Sequence, residues 1–219
     1  MKKKRGAIME FFKKDRPLIL ACSATKRIDS EIEQIMKSGV SLKPTTSMEE
    51  FSPYRQCTEA AYKGCLYHSK RYPACLRYNG TFYKQIPIKL WEQANRLPVL
   101  ILSAYYGLLR PTDAILNYNL AISQVKASCK RLLPTLLESY LDKHNLKKAI
   151  FLTSSSYFLP FKGKGIAERL HLYDQSGNEI IGPYARDYYL MAGKILANLL
   201  AGKGALTGIE GCFMEVSHA

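Results

Sequence analysis

The chain has 219 residues, 47% of them hydrophobic, which excludes intrinsic disorder over most of its length and allows one large folded core. Lys and Arg total 32 against 18 acidic residues, a formal charge of +14; this argues for an anionic partner such as nucleic acid, nucleotide or acidic lipid, unless the surface is basic to no specific end. No apolar run nears the ~20 residues that a bilayer span needs, and no secretory signal precedes the six cysteines, so a cytoplasmic protein with reduced thiols is expected.

Residues 1–16 read as a basic arm, with Lys2-Lys3-Lys4-Arg5 and Lys13-Lys14, that either meets phosphate or acidic lipid or is simply solvated. Leu18 to Ala21 is apolar at every position, the pattern of a strand covered on both faces, and it runs directly into Cys22-Ser23-Ala24-Thr25-Lys26. A helix follows over residues 30–37, with Ser30 as its cap and Gly39 as its stop. Between residues 43 and 83 the periodicity is weak, and Tyr54, Tyr62, Tyr67, Tyr72, Tyr78 and Tyr83 are interleaved with Arg55, Lys63, Lys70, Arg71, Arg77 and Lys84. Rings between cations suit exposed bases and their phosphates. The spacing of Ala60, Ala61, Gly64, Cys65 and His68 equally suits an ordinary packed helix.

Residues 87–95 suggest a helix with Trp91 turned inward, and Val99 to Leu102 is a second buried strand, ending at Ser103. A long helix over residues 123–142 is expected to break or kink near Pro134. A third buried strand at residues 149–152 ends at Thr153-Ser154-Ser155-Ser156-Tyr157; then come a loop with Lys162 and Lys164, a segment at 166–172, a turn at 174–178 and a helix at 185–201. Residues 202–219 are expected to be a glycine-rich tail without clear structure, and residues 17–201 a single domain, since no repeat or linker divides them.

Three strands thus end on one polar rim, where open α/β sheets hold their ligands. Lys26 suits a phosphate or carboxylate, and Cys22 is either a nucleophile or a small buried apolar residue. Gly107 supplies a backbone conformation that a side chain would hinder. Arg110 either clamps an oxyanion or pairs with Asp113. Ser154, Ser155 and Ser156 offer donors, Lys162 and Lys164 add charge, and Arg186, preceded by Tyr184, is expected to point into the same crevice. Walker, HExxH, GxSxG and GxGxxG patterns are missing. Cys57, Cys65 and Cys75, with His68 among them, lack the CxxC spacing of structural zinc; no metal and no cofactor are expected.

Leu18 to Lys26, the run Leu102-Ser103-Ala104-Tyr105-Tyr106-Gly107-Leu108-Leu109-Arg110-Pro111 with Asp113 and Tyr118, and Ser155-Ser156-Tyr157-Phe158 resemble, in this order, the signature segments of the YaaA family of peroxide stress proteins. Tyr78-Asn79-Gly80-Thr81-Phe82-Tyr83 resembles the family's Gly-x-x-Tyr element, and Tyr184-Ala185-Arg186 its late Tyr-Ala-basic segment. The chain departs from the family in having Cys22-Ser23 in place of Ser-Pro and in its tyrosine- and cysteine-bearing segment before Gly80. The resemblance implies a mixed α/β fold, a central sheet flanked by helices with a basic cleft at the strand carboxyl ends, DNA binding, and a role in limiting peroxide damage.

On this reading DNA is the partner, and a distorted or exposed nucleotide is held by Ser103, Tyr106, Gly107, Arg110, Asp113, Tyr118, Ser155, Tyr157, Lys162 and Arg186. The alternative is an enzyme acting on a nucleobase or nucleotide, with Cys22 or Ser23 as nucleophile, Lys26 and Arg110 stabilising negative charge and Tyr106 orienting the substrate.

Overall fold

The computed structural model describes residues 12–180, 185–209 and 213–218. Apolar runs without alternation have to be covered on both faces, and the three such runs lie side by side: β1 (Leu18–Ala21), β3 (Val99–Ser103) and β6 (Ala149–Leu152) are buried at every position. They form the middle of a six-stranded sheet ordered β4-β3-β1-β6-β7-β8, where β4 is Gly107–Leu109, β7 Ala167–Tyr173 and β8 Phe213–His218. β3, β1, β6 and β7 are parallel, with Leu18 opposite both Val99 and Ile150; β4 and β8 are the antiparallel outer strands. A two-stranded ladder of β2 (Tyr72–Pro73) and β5 (Ala114–Ile115) lies apart from it. The mixed α/β class expected from the sequence is the class observed.

Helices cover the sheet. α1 (Asp29–Lys37) buries Ile32, carries Asp29 and Glu31 in its first turn, where the helix dipole favours acids, and stops at Gly39 with φ +91°. α2 (Ser52–Ala61) buries Tyr54 and Thr58. The short turns α3 (Ala74–Arg77) and α4 (Thr81–Lys84) precede a 3-10 segment, Ile88–Arg96, that buries Trp91. α8 (Ala185–Leu200) packs on α4 so closely that a Cβ on Gly193 would lie 2.4 Å from the Phe82 carbonyl oxygen.

Several expectations change. The long helix at 123–142 is two elements, α5 (Ala127–Lys130) and α6 (Leu132–Lys143), and the break falls at Arg131; Pro134 lies in the first turn of α6, where its missing N–H costs nothing. The helical spacing toward His68 does not continue past Ala61, and His68 is exposed. The tail is not unstructured: β8 pairs along β7, with Met214 buried and Glu215 exposed, an alternation that the glycines before it obscured. The thiols are not all reduced either. Cys57 on α2 and Cys129 on α5 form a disulfide with Cα atoms 5.7 Å apart, while Cys22, Cys65 and Cys75 are free. Residues 1–11 of the basic arm, Tyr184 and Cys212 lie outside the described residues. No helix among the described residues is long and apolar enough to cross a membrane.

Because the four inner strands are parallel, the sheet has two unlike edges. The loops that leave β1, β3 and β6 share the carboxyl edge; the segments that lead into β1, β3, β6 and β7 share the amino edge.

Candidate functional site

The loop that leaves β1 is held by the segment at 77–80. Arg27 N–H donates to the Arg77 carbonyl at 2.8 Å, Asn79 N–H donates to the Thr25 carbonyl at 2.9 Å, and Lys26 bridges Tyr78. At position 80 a Cβ would crowd the Ser23 side chain, so glycine lets this segment lie close over the loop. Below the loop, the Tyr83 hydroxyl donates to the Ala21 carbonyl at 2.7 Å.

Lys26 is the cation of this edge. Its Nζ donates to the Ser23 carbonyl at 3.0 Å and lies 4.0 Å from the centre of the Tyr118 ring. Burial lowers its pKa, the nearby Cys22 sulfur opposes that shift, and the charge of Arg77 adds to it. No carboxylate lies within ion-pair distance of Lys26 among the described residues.

Tyr118 continues into a chain of hydroxyls. Its Oη is 2.9 Å from Ser103 Oγ and 2.9 Å from Tyr78 Oη. Ser103 is fully buried and its Oγ accepts from the N–H groups of Tyr105 at 3.3 Å and Tyr106 at 3.0 Å, so the serine closes the turn after β3 as well as holding Tyr118. Burial pushes Tyr78 and Tyr118 well above the ordinary tyrosine range, which keeps both phenols neutral. Beside them, Cys22 Sγ is 3.2 Å from Tyr157 Oη. Burial and then the Cys22 sulfur raise Tyr157, so that it too remains a phenol beside the sulfur. Ser154 Oγ lies 3.1 Å from Ser156 Oγ and accepts from the Tyr189 hydroxyl of α8 at 2.8 Å, while Ser155 is exposed.

The fold thus brings Cys22, Ser23, Lys26, Ser103, Tyr118 and Tyr157 to one edge. Tyr106 is buried next to them, its hydroxyl accepting from Leu116 N–H at 3.1 Å. Gly107 has φ +75°, and a Cβ there would be 3.0 Å from the Tyr54 ring, so both its backbone and its space call for glycine. Arg186 is exposed in the first turn of α8, the end that Tyr189 ties to Ser154.

Three other candidates lie elsewhere. β4 runs back along β3, pairing Gly107 with Ser103 and Leu109 with Ile101, and thereby carries Arg110 and Asp113 away from the rim. There Arg110 Nε donates to Asp113 Oδ1 at 2.9 Å, the Arg110 backbone N–H donates to Oδ2 at 2.9 Å, and Thr45 Oγ1 donates to Oδ1 at 2.9 Å. Of the two arrangements open to Arg110, the structure has the ion pair that fastens the loop. Lys162 follows α7 (Ser155–Phe158) and a 3-10 turn, Leu159–Phe161, and belongs to the segment returning to the start of β7, where the Ile166 carbonyl accepts from Ala149 N–H at 3.0 Å. Lys162 thus lies on the way from the carboxyl edge to the opposite edge of the sheet, in a segment whose Lys164 lines a groove with Pro134, Thr135 and Glu138 of α6.

Tyr78, Gly80 and Tyr189 were not among the expected site residues. The first two sit in the segment already noted for its resemblance, whereas nothing local in the last helix marks Tyr189. No group of three or more His, Cys, Asp or Glu among the described residues is placed to hold a metal ion.

A mostly parallel six-stranded sheet flanked by helices, with Lys26 and a chain of buried hydroxyls beyond its carboxyl edge, defines a mixed α/β protein. A sequence-family model described as peroxide stress protein YaaA matches residues 2–180. The chain belongs to this family, which gives it a role in the peroxide stress response. Among curated proteins nothing matches it.

Proposed function

We propose that the protein acts in the peroxide stress response by binding DNA, and that the carboxyl edge of its sheet receives a phosphate or an exposed nucleotide. The observation that carries this reading is Lys26, a part-buried ammonium resting on Tyr118 with backbone carbonyls but no carboxylate for partners among the described residues. Such a cation has lost water without gaining a counter-charge, so an arriving anion forms a charge-assisted hydrogen bond at little further desolvation cost. Arg186 adds a second cation at the same edge. Neutral Tyr78 and Tyr118 hold the geometry without repelling phosphate.

Binding of a single-stranded oligonucleotide and of an abasic duplex by wild type and Lys26→Met tests the reading. A hydrogen bond to a charged group contributes about 1.5–3 kcal/mol, so the variant should bind about ten- to a hundredfold more weakly while keeping its circular dichroism. Equal binding by both proteins would remove Lys26 from the account.

The contact between Cys22 and Tyr157 favours a second reading, an enzyme acting on a nucleobase or nucleotide with Cys22 as nucleophile and Tyr157 as the donor that stabilises its thiolate. This reading expects a mass increase on the Cys22 peptide after incubation with a reactive base-modified oligonucleotide, lost in Cys22→Ala. An unmodified cysteine under turnover conditions would rule it out.

A further inference from the structure

The amino edge of the sheet concentrates exposed cations. Lys13 and Lys14 precede β1, Arg96 precedes β3, Lys147 and Lys148 precede β6, and Lys162 and Lys164 precede β7; all except Arg96 belong to three segments laced to one another. Lys147 N–H donates to the Asp15 carbonyl at 2.6 Å, Arg16 Nε donates to the Lys148 carbonyl at 3.3 Å, and Ala149 N–H donates to the Ile166 carbonyl at 3.0 Å. Arg96 joins the row because the Pro98 carbonyl, two residues on, accepts from Leu18 N–H at 2.8 Å.

Asp15 is engaged by Lys147 at 2.6 Å, and Glu168 by Arg16 and, at 3.9 Å, by Lys148, while Glu138 of α6 lines a groove with Lys164. Lys13, Lys14, Arg96, Lys162 and Lys164 have no carboxylate within ion-pair distance among the described residues and are exposed. The row crosses four neighbouring strands, β3-β1-β6-β7. At the ordinary strand spacing it is about 14 Å wide. A DNA duplex presents about eight phosphate charges over that length of axis.

We propose that this amino edge is a second nucleic-acid surface, which follows the sugar-phosphate backbone of intact duplex DNA without reading its sequence. The inference rests on the DNA-binding reading above and adds to it a place that the carboxyl-edge site does not occupy. A duplex backbone fits the surface better than a bilayer does. Among the described residues, Leu159 is the large exposed apolar side chain closest in sequence to it, and one such residue beside lysines anchors weakly in lipid. In the sequence, Lys2-Lys3-Lys4-Arg5 lead into the same strand, β1.

The test is the affinity of the full chain for a random 20-base-pair duplex across a salt series, with wild type, Lys26→Met and a variant carrying Lys13→Gln, Lys14→Gln, Lys162→Gln and Lys164→Gln. Each lost phosphate contact lowers the slope of log affinity against log salt by about 0.9. The fourfold variant should therefore lose about 2–4 units of slope and bind intact duplex at least tenfold more weakly at low salt, with unchanged thermal unfolding. Lys26→Met should change the slope on intact duplex by no more than about 0.9, the effect of a single phosphate contact. A fourfold variant with the wild-type slope overturns the amino-edge surface, and it leaves the DNA-binding reading standing if Lys26→Met then loses abasic DNA. A wild type that binds no DNA, intact or abasic, but binds phosphatidylserine vesicles overturns both.

Discussion

At the carboxyl edge of the sheet, Ser103, Tyr118 and Tyr78 share a chain of buried hydroxyl contacts, and Lys26 lies against a ring with its donors turned to backbone carbonyls. At the amino edge, Lys13, Lys14, Lys162 and Lys164 stand exposed, without carboxylates at ion-pair distance among the described residues. The first edge has few charges held in fixed geometry, the second many charges held loosely. Both follow from one parallel sheet: strand ends that stop in small polar residues are folded over by later segments, while the approaches to the same strands are short lysine-bearing loops on the surface. Fixed geometry suits recognition of one group, and loose positive charge suits a repeating polyanion whose register does not matter.

The contrast can be broken most strongly at Ser103. Ser103→Ala removes the acceptor of two buried N–H groups and one partner of Tyr118, and should destabilise the protein by about 1–3 kcal/mol in urea unfolding; a change under about 0.5 kcal/mol would mean that the hydroxyl chain does not hold this edge. The fourfold lysine variant makes the complementary case, since exposed substitutions normally shift stability by no more than about 0.5 kcal/mol while its DNA affinity falls. A large loss of stability there would show that the amino edge is built, not merely charged.

The smallest effect sharpens the electrostatics next to that edge. Glu50 accepts from Lys143 Nζ at 2.6 Å, near His144, and this bond holds its carboxyl below the usual range, at about 2. A carboxylate with a folded value below its unfolded one contributes stability that is complete above the unfolded value and is lost as pH falls through the folded one. Glu50 therefore adds to acid sensitivity between about 4.5 and about 2. Glu50→Gln should flatten that part of the stability profile slightly, because Lys143 is exposed and solvent screens the pair. A steeper profile in the variant would contradict the assignment.

The buried strands were legible because each is an unbroken apolar run, and the carboxyl-edge site because Cys22, Ser103 and Ser154 follow those runs closely. Arg110 was misplaced because Gly107 to Leu109 reads as loop, yet forms an antiparallel strand that turns the chain back. Lys162 looked like part of the third loop because the one-turn helix and 3-10 turn that carry the chain to the other edge are too short to show a period. The disulfide joins residues 72 positions apart through the packing of α2 against α5, which no spacing rule reveals.

Lysine labelling, read by mass spectrometry on the full chain alone, with intact duplex and with abasic duplex, tests the division between the two edges most directly. The account predicts that intact duplex protects Lys13, Lys14, Lys162 and Lys164 and leaves Lys26, Lys194 and Lys203 as reactive as in the free protein, and that abasic duplex protects Lys26 in addition. Equal, weak protection of every lysine by both DNAs would contradict it, reducing the +14 charge to a general attraction with no place on the molecule.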